Sequence, residues 1–142
     1  MPERAADGVP PTPARAGARR PVAWVPRVLA AAAVAVSGVV HLYLWRLGYF
    51  EGMWLRPLFL VQGVGGVVLA ALLLVWRGAW PLVGAVAYGA ATLGGFVVAT
   101  TPVGLGGVRA RWEGWPEWVS AATELLAIAA GLWALTAERR RP

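Results

Sequence analysis

The sequence predicts an all-α polytopic membrane protein, folded as an antiparallel bundle of four transmembrane helices. Three observations carry that expectation. Four apolar stretches of transmembrane length follow one another. Arginines crowd the chain ends and the breaks between stretches. Tryptophans recur where the stretches begin and end. Composition agrees: 58% of the 142 residues are apolar and 14% charged, against about 45–50% and about 25% in soluble domains. A soluble fold of this size has too little interior for that apolar surface.

The first element is expected at 27–46, after a basic segment of Pro, Ala, Gly and Arg at 1–21 that has no apolar periodicity and reads as a disordered cytoplasmic tail. Arg19-Arg20 followed by Ala33-Val34-Ala35 has the look of a secretory signal. Apolar character runs on past Ala35 to Trp45-Arg46, however, so the stretch is read as a span. Further spans are expected at 57–76, 79–101 and 117–137, within a transmembrane domain of residues 22–138, and 139–142 forms a second basic tail. Spans of roughly 20 residues match a hydrocarbon core about 30 Å thick. Pro57 and Pro81 stand where the second and third spans begin and Pro116 just before the fourth, and a first-turn proline loses no hydrogen bond.

Arginine asymmetry sets the orientation. Arg4, Arg15, Arg19, Arg20, Arg27, Arg77, Arg139, Arg140 and Arg141 fall on one side, against Arg46, Arg56, Arg109 and Arg111 on the other. The positive-inside rule then places both termini in the cytoplasm. The net charge of +6 is therefore read as contact with anionic lipid headgroups and not with nucleic acid. Trp24, Trp76 and Trp80 mark the inner interface, and Trp45, Trp54, Trp112, Trp115 and Trp118 the outer one. The aromatic run from Trp112 to Trp118 is expected to lie in the outer interface.

Helices in lipid associate through close approach of small residues. Ala87, Ala91, Gly95 and Ala99 form such a stripe in helix three, with Ala85 and Gly89 as a second. Helix two offers Gly66 and Ala70, and helix four offers Ser120, Ala127, Gly131 and Ala134. Helix three is expected to serve mainly as the close-packed small face.

The strongly polar residues inside the spans are His41, Gln62 and Glu124, with Ser37, Tyr43, Tyr88, Thr92 and Ser120 as milder members. At 1.5 Å per residue, His41 and Gln62 lie roughly 9 Å and Glu124 roughly 12 Å below the outer helix ends. Three helices thus carry their most polar side chains at one level. Such a cluster is either interhelical polar glue or a site for proton, redox, metal or solute chemistry, because a charged group at mid-bilayer costs about 2.5–3.5 kcal/mol.

Several chemistries drop out. With no cysteine, thiolate nucleophiles, zinc–thiolate sites and disulfides are excluded. One histidine cannot supply both axial ligands of a bis-histidine haem within one chain. His, Gln and Glu make a weak metal set, so no metal site is assigned. Gly63-Val64-Gly65-Gly66 and Gly104-Leu105-Gly106-Gly107 lack the context of phosphate loops. No catalytic residue is assigned, no cofactor is required, and a conventional enzyme is the weaker expectation.

His41-Leu42-Tyr43-Leu44-Trp45, Tyr49, Pro57-Leu58-Phe59-Leu60-Val61-Gln62, Leu93-Gly94-Gly95, Gly104-Leu105 and Glu124 together resemble four-helix integral membrane proteins of high-GC Gram-positive bacteria that have no assigned activity. In topology alone the chain also resembles DoxX-like proteins. The resemblance spans about residues 28–137 and implies that His41, Gln62 and Glu124 belong together. The expected role is a structural or accessory membrane subunit, with a membrane-protein partner or a second copy as its associate. A haem-, quinone- or proton-handling protein is the alternative.

Overall fold

The computed structural model describes residues 22–140. The tail expected at 1–21 and the last residues of the tail at 139–142 lie outside them. The described chain forms α1 (Trp24–Arg46), α2 (Arg56–Val75), α3 (Trp80–Ala99) and α4 (Trp115–Arg139). All four are long and apolar enough to cross a membrane, and they pack as an antiparallel bundle with no strand among the described residues. The ends fall within a few residues of expectation. Pro57, Pro81 and Pro116 each occupy the first turn of their helix, so α4 starts at Trp115 and takes up the second half of the aromatic run. In that run Trp112 stacks edge-on against Phe96 at 4.5 Å and meets Trp118 at 4.7 Å.

Around the bundle the order is α2, α1, α4, α3, and α1 is the central helix. Half of its apolar window is buried, against 17% for α2 and 22% for α3. The outward faces are apolar, with Val39, Val61, Val75, Val97 and Leu125 among the exposed side chains. That is the inverse of a soluble surface and suits contact with lipid.

Small residues set the interhelical distances. A Cβ on Gly38 of α1 would stand 2.8 Å from the Gly63 carbonyl oxygen of α2, and one on Gly66 would stand 2.7 Å from the Val34 carbonyl oxygen. Gly89 of α3 lies so close to α4 that a Cβ would reach within 2.6 Å of the Glu124 carbonyl oxygen. Ala70 of α2 and Ala127, Gly131 and Ala134 of α4 are buried as the spacing predicts.

Helix three departs from expectation. Ala87 and Ala91 are exposed, Gly95 is half-buried, and only Ala99 of that stripe is buried. Ala85 and Gly89 make the interface instead. Two small stripes on one helix compete, and the winner is the one that also sets Leu82, fully buried, into the core. The close-packed hub is α1, not α3.

The two ends of the bundle differ. The end bearing the short connection 76–79 holds a dry core that includes Ala30, Ala33, Val34, Leu73, Leu82, Ala85, Ala127 and Ala134. Its rim is closed by Arg27, which is fully buried. The guanidinium pairs with Glu138 of α4 at 3.0 Å and donates to the carbonyls of Trp76 at 2.7 Å and Gly78 at 3.0 Å. Arg27 is therefore a cross-link among α1, α4 and the α2–α3 connection, and it is removed from headgroup contact. The opposite end bears the long connections 47–55 and 100–114, and there the interior is hollow.

Candidate functional site: a polar-walled cavity under the long connections

α2 and α3 are joined by a short connection, yet they pack sparsely. Leu69 approaches Gly84, Tyr88 meets Gly66, and Gln62 bonds Thr92. Beyond that level a cavity of about 580 Å³ fills the space between them. Its floor carries His41 from α1 and Ser120 and Glu124 from α4, and its side walls carry Leu58, Phe59, Val61 and Gln62 from α2 and Thr92, Gly95 and Phe96 from α3. The roof comes from the long connections through Leu55, Leu105 and Val108.

The roof is one piece because the two connections dock. Trp54 donates its indole N–H to the Gly106 carbonyl at 3.3 Å. Gly106 adopts a φ of +55°, and a Cβ there would stand 2.6 Å from the Trp54 ring. Glycine is required at that position on both counts. The Ala110 amide then bonds the Ala99 carbonyl at 3.0 Å, tying the connection back to α3.

The structure brings His41, Gln62 and Glu124 to the wall of this one cavity. Counting from the Arg46, Arg56 and Trp115 helix ends, they lie roughly 8, 9 and 14 Å deep at 1.5 Å per residue. It does not bond them to one another. They are linked through the milder polar residues. Ser37 and Ser120 both donate to Oε1 of Glu124, at 3.3 and 2.7 Å. The Tyr88 hydroxyl lies 3.4 Å from Ser37 Oγ and 3.2 Å from the Gln62 carbonyl oxygen. Gln62 reaches Thr92, whose hydroxyl donates to the Tyr88 carbonyl at 2.7 Å. This chain of bonds touches all four helices. Tyr43, also named from the sequence, is exposed and stacks on Trp115 at 5.5 Å, outside the network.

Bond chemistry fixes which atoms face the cavity. His41 places Nδ1 at 2.8 Å from the Ser37 carbonyl oxygen. A carbonyl only accepts, so Nδ1 carries the proton and Nε2 presents a lone pair. Phe59 holds the imidazole ring at 5.2 Å. His41 is 7% exposed and Glu124 is 1%.

Arg27 and its partner Glu138 were not singled out from the sequence. The available signal was that Glu138 is the sole acid near the end of helix four. Among the described residues no group of three potential metal-binding side chains occurs. Compared with protein-family models, curated proteins and solved structures, the chain matches none.

Proposed function

We propose that the protein is a multi-pass protein of a bacterial plasma membrane, with both termini cytoplasmic, that holds a small membrane-borne molecule in the cavity at the level of His41, Gln62 and Glu124. The observation that supports this reading is the cavity itself. Polar glue needs bonds between helices and no space beside them. Here three polar side chains from three helices border about 580 Å³ of space, within the roughly 300–1,000 Å³ of ordinary ligand pockets. The reading falls in the redox or proton-handling class, because an imidazole lone pair and a carboxyl group on the wall of one cavity are suited to moving protons. Exposed Arg77, Arg139 and Arg140 would then meet anionic headgroups at the cytoplasmic face. The layout resembling four-helix proteins of high-GC Gram-positive bacteria accords with that placement.

A second reading, a structural or accessory subunit, is favoured by the bond network that touches every helix. Purification in mild detergent separates the two. The visible spectrum, native mass and mass spectrometry of extracted small molecules would be recorded for the wild type, His41→Ala and Glu124→Gln. A stoichiometric small molecule that is lost from both variants supports the binding reading. A colourless, ligand-free wild type whose variants only lose stability overturns it in favour of the structural one.

A further inference from the structure

At the polar level His41, Glu124 and Gln62 each leave one side-chain atom without a protein hydrogen bond among the described residues, and each of these atoms can accept one. The first is Nε2 of His41, whose proton sits on Nδ1 against the Ser37 carbonyl. The second is Oε2 of Glu124. Both serine hydroxyls donate to Oε1, which leaves the other oxygen unengaged. The third is Oε1 of Gln62. The Thr92 hydroxyl donates its proton to Tyr88, so its oxygen must accept from Gln62. That orients the amide with Nε2 on Thr92 and turns Oε1 to the cavity. These residues line the cavity, and a ligand that supplies hydrogen-bond donors would match their free acceptor atoms.

We propose that the cavity binds a lipid-borne alcohol or phenol, an apolar body whose hydroxyl head donates hydrogen bonds to His41 and Glu124. The proposal rests on the binding reading above and names its ligand class. The lining disfavours anionic, carbonyl and ether heads. An anionic head at the polar level would face Glu124, while Arg109, which donates to the Pro102 carbonyl at 2.6 Å, and Arg111, which pairs with Glu113 at 2.6 Å, lie at the rim. A carbonyl or ether head has no proton to donate to Nε2 of His41 or Oε1 of Gln62.

Access is sideways. Leu58, Val61 and Ala91 line the cavity and are also exposed on the outer face of the bundle, where the sparse α2–α3 seam meets lipid. An apolar body therefore passes between α2 and α3 while its head stays at the polar level, with Phe59 and Phe96 beside it.

The test uses the full chain in detergent and four probes: decyl-hydroquinone, its dimethyl ether, dodecanol and its methyl ether. Binding is titrated calorimetrically. At least one hydroxyl probe is expected to bind about 10-fold or more tighter than its ether, the worth of one donated bond to a buried acceptor. Preference confined to the hydroquinone identifies a phenol, and preference confined to dodecanol identifies an aliphatic alcohol. His41→Phe and Glu124→Gln should each weaken the preferred probe about 10-fold, the latter because an amide N–H replaces Oε2. Val61→Trp, on an exposed position that the fold does not need, should block access and abolish binding. Equal affinity for alcohols and ethers overturns the inference while leaving the binding reading in place. Failure of all four probes to bind overturns the binding reading as well.

Discussion

Arg27 and Glu138 stand 111 positions apart in sequence and meet as an ion pair at 3.0 Å. The arginine side chain has no exposed surface and the glutamate 15%. Three further bonds to the carbonyls of Leu73, Trp76 and Gly78 use the rest of the guanidinium. The planar fork of arginine permits this; a lysine ammonium, a compact point charge, could not serve a carboxylate and these three carbonyls together.

Arg27→Ala is accordingly expected to lower stability by about 3–5 kcal/mol, because it leaves the carboxylate and the carbonyls unmatched. Arg27→Lys should recover only part of the loss. Thermal unfolding in detergent measures both. An unchanged midpoint for Arg27→Ala would show that the pair contributes nothing.

Gly65 and Gly66 are neighbours with opposite expected outcomes. A Cβ on Gly66 would meet the Tyr88 hydroxyl and the Val34 carbonyl oxygen, each at 2.7 Å, while one on Gly65 meets nothing within 4 Å. Gly66→Ala should destabilise by about 1–3 kcal/mol through overpacking. Gly65→Ala should be neutral or stabilise by up to about 1 kcal/mol through helix propensity. Unfolding midpoints of the two variants check the pair, and equal shifts would refute the helix packing described.

Ser37 is fully buried, donates to Glu124 and lies within reach of Tyr88. Ser37→Ala is expected to cost about 1–3 kcal/mol. Combined with Tyr88→Phe, the loss should be less than additive, since both changes cut one bond. A double-mutant cycle of unfolding free energies reads this directly, and strict additivity would mean that the two hydroxyls are uncoupled.

The roof should open when its docking point is disturbed. Gly106→Ala pushes a Cβ into Trp54 at a backbone angle that disfavours it. Amide exchange across residues 102–110 should quicken while exchange in the dry half around Leu82 stays unchanged. Equal protection in wild type and variant would mean that the connections do not depend on each other.

Orientation has its own check, because the chain has no cysteine. A single cysteine can replace Val103, 85% exposed, or Trp80, 78% exposed, and intact cells can be treated with a membrane-impermeant thiol reagent. With both termini cytoplasmic, Val103→Cys should label from outside and Trp80→Cys should not. The reverse pattern would invert the topology.

The sequence by itself determined the number of helices and their approximate ends. Segment length and hydropathy are local, and Pro57, Pro81 and Pro116 mark helix starts without reference to any partner. It also placed His41, Gln62 and Glu124 at similar depth, since depth along a helix is a count of residues. Azimuth is not local. Which stripe of α3 faces inward depended on how Gly89 and Leu82 fit against α4. The central place of α1 depended on the close approach of Gly38 to Gly63 and Gly66. The Arg27–Glu138 pair, the docking of Trp54 on Gly106 and the cavity between α2 and α3 exist only where distant segments meet. A residue count gives height along a helix, but only packing decides which way each helix turns and what space it leaves.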